Sequence, residues 1–357
     1  MPKNKNQHIV PQFYQRLFSN DGETIGKYVI QTKEIDVPCS IKKTASEKYY
    51  YDDKESIRSG VQTVESSLGV IESGAAIAIK KVVQDGEIQL SPKEHQFLYS
   101  YIGLQMLRTK AYAKRINEDV DKLFKTLLSQ YSKSKNIDPH LLYEYEKPQV
   151  ASLKYAAPIT LSLLDLRYKV LEISIPDAFF FTSDNPVCQF NSFLYKNNIY
   201  NQGPALVGAL VFLPISPVKG VLLYDSQIYK VGTRNSTVVL IRQKSDIETL
   251  NLLTCLNAYD ELLFNPQNQP YFCFSNLIER VSKLRGIERK KYEPVKMSET
   301  ESVFAYVPQK IFKTELSFVK ILDKSRGYHL QDVLWDPILI RPTCQLYFNH
   351  KNSGAKL

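Results

Sequence analysis

The chain has 357 residues, 43% hydrophobic and 23% charged, values near the globular average that argue against a disordered chain and leave room for more than one small core. Lys and Arg outnumber Asp and Glu by 46 to 37, so charge alone tilts partner choice toward polyanions such as nucleic acid. The longest uncharged apolar run, residues 204–214, is too short for a bilayer, and the polar start MPKNKNQHIVPQ has no signal core; a cytoplasmic chain without a membrane segment is expected.

In chain order, His8 to Phe18 is expected to form a short helix with Pro11 in its first turn. Gln12 and Arg16 then share a face, and His8 precedes it. Asp21-Gly22 signals a turn, and TIGKYVI reads as a strand. Val61, Val64, Leu68, Ile71, Ala75, Ala78 and Val82 recur at steps of three and four, which predicts a helix over 61–83 with one apolar stripe. Gly69 and Gly74 weaken that helix and admit a close neighbour. Ser91, Pro92 and Glu94 form a capping-box start for a helix expected to run to about Ser129. SKSKNIDP then reads as a linker, and a further helix covers about Pro148 to Asp165.

Beyond Arg167 the period shortens. YKVLEISI, AFFFTS, LVGALVFL, KGVLLYD and STVVLI are short, β-branched or aromatic, and separated by turn residues, so they read as strands. Ser245 and Glu248 suggest a second capping box and a helix over about 246–264. The fold class is α+β: a helical N-terminal half, then a mixed or antiparallel sheet with a further packed helix. The basic run Arg280, Lys283, Arg285, Arg289, Lys290, Lys291 and Lys296 marks a boundary, giving a main domain over 1–280 and a strand-rich appendage over 281–357.

Polar residues stand where the pattern calls for apolar ones. Leu98, Tyr101, Gln105, Arg108 and Tyr112 share one helical face, so Gln105 and Arg108 interrupt a core-type stripe. A buried guanidinium needs a carboxylate. Glu65 and Glu72, seven apart on the preceding helix, are the suppliers within reach of an antiparallel packing, and an internal ion pair fixing helix register is the plain structural account. Asp184 and Asn185 in TSDNPV sit at a strand end, where Pro186 holds Asn185 extended; the same residues also make a good turn. The cysteines Cys39, Cys188, Cys255, Cys273 and Cys344 are scattered and odd in number, as in a reducing compartment. His95, His140, His329 and His350 have no metal-site spacing, and the chain carries no Walker, GxGxxG, HExxH, GxSxG or CxxC motif.

His8-x-x-Pro11-Gln12-Phe13-Tyr14-x-Arg16-x-Phe18, Glu65 with Glu72, Gln105-x-x-Arg108-Thr109, Ser183-Asp184-Asn185-Pro186 and Leu213-Pro214-x-Ser216-Pro217 follow in order. This succession resembles the bacterial "domain of unknown function 4238" family over about residues 7–275. The resemblance implies a shared fold and no particular activity. Gln15 departs from it, since an apolar residue is expected there.

Two functional expectations follow. In the first, the chain is a nucleic-acid-directed hydrolase, a nuclease of defence or toxin type. The candidate catalytic set is His8, Gln12, Glu72, Gln105, Arg108, Asp184 and Asn185. Glu72 and Asp184 would hold Mg²⁺ or Mn²⁺, Arg108 and Arg16 would clamp a phosphate, and His8 would move a proton. Arg285, Arg289, Lys290 and Lys291 would hold the nucleic-acid backbone. In the second, the same polar pocket binds a ligand or partner without chemistry. The helical half could also form an oligomer surface.

Overall fold

The computed structural model describes residues 5–52, 54–60, 63–84, 89–131, 144–196, 203–268, 271–285, 290–296, 302–308, 314–323 and 339–345. The N-terminal elements are β1 (Asn6–His8), α1 (Gln12–Gln15), β2 (Thr24–Val29), β3 (Ile35–Ser40), β4 (Ser46–Lys48) and α2 (Lys54–Ser59). The helical layer follows: α3 (Thr63–Gln84), α4 (Pro92–Leu107), α5 (Lys110–Tyr131), α6 (Pro148–Leu153) and α7 (Ala156–Leu161). Then come β5 (Arg167–Ile173), β6 (Thr182–Ser183), β7 (Cys188–Phe190), α8 (Ser192–Lys196), β8 (Leu210–Pro214), β9 (Lys219–Tyr224), β10 (Tyr229–Val231) and β11 (Val238–Ile241). The chain continues with α9 (Lys244–Asn257), β12 (Glu261–Phe264), α10 (Tyr271–Arg285), β13 (Lys290–Lys296), β14 (Ser302–Pro308) and β15 (Val319–Ile321). The fold class is α+β, as the order of periods predicts.

Two sheets organise the molecule. The larger runs β11-β5-β9-β8-β7, antiparallel except for the parallel β11–β5 pair. Its strands alternate between two buried faces. Val170, Val211, Leu213, Val221 and Leu223 face a core shared with Ala75, Ala78 and Ile79 of α3 and Leu98, Tyr99 and Ile102 of α4. Leu171, Leu210, Phe212, Leu222 and Ile241 face the other way, onto Ile247 and Leu250 of α9 and onto Leu316 and Leu339 near the C-terminus. Helices on both faces explain why these strands read as nearly continuous apolar runs. The smaller sheet, β3-β2-β12-β6, is antiparallel throughout and packs on α9 and α10 through Tyr28, Leu262, Phe264, Leu256 and Phe274.

α3 and α4 lie antiparallel, as Lys81 meeting Glu94 and Gly74 lying under the Phe97 ring require. A Cβ at Gly74 would collide with that ring, whereas Gly69 faces open space; only Gly74 admits a close neighbour. The capping box at Ser91 forms as expected, its hydroxyl taking the Glu94 N–H while the Glu94 carboxylate takes the Ser91 N–H.

Four elements differ from the sequence reading, each for a local reason. His8 ends a strand paired with Ser46 rather than starting a helix; proline disfavours helical backbone at the residue before it, so the helix cannot begin before Pro11, which becomes its N-cap. The helix from Ser91 stops at Leu107, and a new one starts at Lys110 because the Thr109 hydroxyl caps the Tyr112 N–H. The 148–165 helix is two short helices with a turn between them. The helix expected over 246–264 starts at Lys244, ends at Asn257 and gives way to β12; Ser245 is no cap, and the backbone after Asn257 is taken by Asp184 and Asn185.

Of the described residues beyond the boundary drawn near 280, those at 314–323 and 339–345 contact the body. β15 pairs with β10, the Ser317 N–H and hydroxyl both bind Asp246, and buried Arg341 clasps Asp165 and the carbonyls of Pro204, Leu206 and Ser162. β13 and β14 form an antiparallel hairpin.

Candidate functional site

Two polar clusters flank the N-terminal segment that carries the HxxPQ run. The first surrounds Arg108, which caps the C-terminal end of α4 and is 1% exposed. Its Nη1 donates to Glu72 Oε1 (2.5 Å), its Nη2 to the His8 carbonyl (2.5 Å) and its Nε to the Tyr51 hydroxyl (2.9 Å). Burial opposes the charge, but Tyr51 and Glu72 outweigh it and hold the guanidinium pKa above the ordinary arginine value. One turn earlier, Gln105 Nε2 donates to the Ile9 carbonyl (3.1 Å). Gln7 bridges the Tyr51 N–H (2.6 Å) and Asp52 (2.8 Å). Gln105 of α4 and Arg108 at its end thereby grip the consecutive carbonyls of Ile9 and His8, and Glu72 of α3 holds Arg108 in place.

Glu72, not Glu65, supplies the carboxylate expected for Arg108. Glu65 remains half-buried; burial raises its pKa, Arg108 pulls the other way, and Glu72 and Asp52 add to the rise. His8 is half-buried, and its Nε2 faces the Ile41 carbonyl at 3.2 Å; a carbonyl can only accept, so Nε2 carries the proton. Burial lowers its pKa, against which the Ile41 contact and Glu72 act, so the ring is neutral at neutral pH. Gln12 and Arg16 hydrogen-bond each other on the surface (2.9 Å), and Arg16 also donates to the Gly22 carbonyl. Arg16 is thus spent on its own turn. Gln15, the departure from the family pattern, is fully buried because its amide holds the carbonyls of Val10 (2.8 Å) and Thr44 (3.1 Å).

The second cluster lies on the other side of Ile9. A cleft of about 110 Å³ is lined by Ile9, Lys43, Ala45, Ser46, Lys110, Asp184, Tyr259, Asp260 and Glu261. Asp184, at the end of β6, accepts three backbone N–H groups: Tyr259 (2.8 Å), Asp260 (2.8 Å) and Glu261 (3.0 Å). Asn185 and Asn257 exchange side-chain-to-backbone bonds at 2.8 and 2.6 Å. The SDNP run therefore clamps the passage from α9 into β12, which explains both the strand end and the interrupted helix. Burial nevertheless pushes the Asp184 carboxyl up to about 6 against the three amides. Glu261 is likewise raised by burial, with Lys27 and Lys110 opposing. Lys110 pairs with Glu47 (2.8 Å) at the rim; burial works against its charge, but Glu47, Glu261 and Asp184 hold its pKa above the ordinary lysine value.

The expected constellation is thus divided. His8, Glu72, Gln105 and Arg108 come together; Asp184 and Asn185 belong to the cleft; Gln12 and Arg16 lie at the surface. Glu72 and Asp184, expected to share a metal ion, fall in different clusters, Glu72 committed to Arg108 and Asp184 to three amides. Among the described residues no group of three or more His, Cys, Asp or Glu side chains is placed to hold a metal. Of the expected nucleic-acid contacts, Arg289 lies outside the described residues, as do the side chains of Arg285, Lys290 and Lys291; Arg285 ends α10, and the two lysines open β13.

The family model for "Protein of unknown function (DUF4238)" matches residues 6–268. The chain belongs to this family. No curated protein and no solved structure matches it. The match ends shortly after β12, so both clusters lie inside the DUF4238 region, and α10 and the β13–β14 hairpin lie beyond it. Among the described residues no helix is long and apolar enough to cross a membrane.

Sequence reasoning missed Lys110, Glu261, Tyr51 and Asp52. Lys110 stands two residues after Arg108 and was within reach of the motif. Glu261 and Tyr51 carry no local signal, since each acquires its role by strand pairing or by packing against α4.

Proposed function

We propose that this DUF4238 protein is a ligand-binding module whose cleft takes a small organic zwitterion, a molecule with an amine or guanidine at one end and an acidic group at the other. The carrying observation is the lining of that cleft: the carboxyl groups of Asp184, Asp260 and Glu261 together with the ammonium groups of Lys110 and Lys43, in about 110 Å³. Two of those carboxyls hold their protons more tightly than in water, so a cationic donor beside them relieves unfavourable burial of negative charge. A flat, multi-donor nitrogen group suits carboxylates that do not converge on a point. The ligand's acidic end meets Lys110, whose present partner Glu47 is half-exposed and readily exchanged. The buried free cysteines Cys39, Cys188, Cys255 and Cys344 suit a reducing compartment, so we assign this binding to the cytosol.

The test is thermal unfolding with a panel of basic amino acids, diamines, inorganic phosphate and MgCl₂. A basic amino acid at about a hundred times its dissociation constant should stabilise the protein by about 2.7 kcal/mol, and the gain should vanish in Glu261→Gln and Lys110→Met. Stabilisation by phosphate or magnesium alone would overturn the reading.

A second reading, the nuclease with a defence or toxin-type role, keeps support from the formal charge of +9 and from the neighbouring Asp184 and Glu261 carboxyls beside Lys110. Cleavage of RNA or DNA with Mg²⁺ or Mn²⁺, lost in Glu261→Gln at unchanged thermal stability, would establish it over the first.

A further inference from the structure

The face of α4 that grips the N-terminal segment contains two polar atoms with no partner. Tyr101 and Gln105 are both 0% exposed, and the Tyr101 hydroxyl and Gln105 Oε1 lack any hydrogen bond. The amide cannot simply be turned over, because its Nε2 already donates to the Ile9 carbonyl and an oxygen there would face oxygen. The two residues are four apart on one helix, which sets their Cβ atoms about 6 Å apart on the same face. The Tyr101 ring packs on Phe13 (5.3 Å) and Tyr14 (6.2 Å), and its hydroxyl feels the charges of Arg108 and Glu72. Tyr14 supplies no bond: its hydroxyl donates to the Pro214 carbonyl (2.5 Å) and pairs with Thr182 (2.8 Å). One side chain therefore offers an acceptor, the other a donor, at neighbouring positions sealed from bulk water.

Leaving both unsatisfied is costly, and native proteins rarely do so. We propose that the space between α4 and the His8–Tyr14 segment is a binding site for one small neutral polar group, a hydroxyl that donates to Gln105 Oε1 and accepts from Tyr101. An ordered water is the smallest occupant; the hydroxyl of a small-molecule ligand has the same chemistry. A buried water commonly makes about three bonds, and the Glu72 carboxylate, 23% exposed and close enough to act on the Tyr101 hydroxyl, is a candidate third group. This site is separate from the Lys110–Glu261 cleft and stands or falls independently of it.

Tyr101→Phe decides it, because it removes only the hydroxyl. A bound guest loses a partner, and the thermal midpoint falls by about 1–3 °C. If the hydroxyl has no partner, the same substitution removes a buried unsatisfied group, and the midpoint rises or stays unchanged, which overturns the proposal. A crystal structure of the wild-type protein supplies the second measurement. A density peak within hydrogen-bond distance of both atoms supports the site, a lone peak marking water and a connected one a ligand hydroxyl. A dry space between them overturns it.

Discussion

The two clusters on either side of Ile9 use the same residue types to opposite ends. Around Arg108 each group of the guanidinium has an internal partner, and the ion pair with Glu72 is closed between two helices. The cleft is lined by both carboxyl and ammonium groups, and the Lys110–Glu47 ion pair at its rim is half-exposed. The comparison teaches that a charge in a core-type stripe signals a structural clasp when its partners are carbonyls of a neighbouring strand. Charges converging from loops and strand ends, with their protonation perturbed and their partners exchangeable, are the better binding candidates.

The largest effect expected from this contrast is at Arg108. Arg108→Ala leaves Glu72 and the His8 carbonyl without their donor in a buried setting, and should cost about 3–5 kcal/mol in denaturant unfolding. A loss below about 1 kcal/mol would break the contrast, because the guanidinium would then be free for other work. Asp184 comes next. Asp184→Asn keeps the shape but offers one acceptor oxygen to three amides, and should cost about 1–3 kcal/mol at neutral pH. Its pH dependence sharpens the point. A carboxyl whose folded pKa is raised to about 6 contributes stability that is full below its unfolded value and lost as pH rises through 6. The wild-type protein should therefore lose stability relative to Asp184→Asn between about pH 4 and pH 7, and a wild-type advantage that instead grew as pH rose would mean that the three amides, which favour the charged form, and not burial, govern the group. The smallest effect is at Lys110. Lys110→Met should change unfolding stability by less than about 1 kcal/mol while abolishing ligand stabilisation; a large loss would make the rim pair structural and merge the two clusters into one scaffold.

Much of the frame was legible in the chain. The stripe from Val64 to Val82 is buried at Leu68, Ala75, Ala78 and Val82, and the Ser91 cap forms. The need of Arg108 for a carboxylate from α3 was legible too, because a guanidinium in an apolar face cannot stand alone. Choosing Glu72 over Glu65 was not, since both share the helix face and only the antiparallel register of α3 and α4 separates them.

What the sequence by itself determined is therefore local and periodic: the fold class, the helix and strand faces, the family and the list of misplaced polar residues. These follow from spacing, capping and side-chain chemistry along a few turns. Tertiary structure alone decided how that list divides. β12 is a strand because its partners β2 and β6 come from residues more than two hundred and about eighty positions earlier. That pairing delivers Glu261 to Asp184 and Lys110. Strand pairing and helix register act between residues far apart in the chain, where no periodicity reaches, and they turn one apparent constellation into a closed clasp and an open cleft.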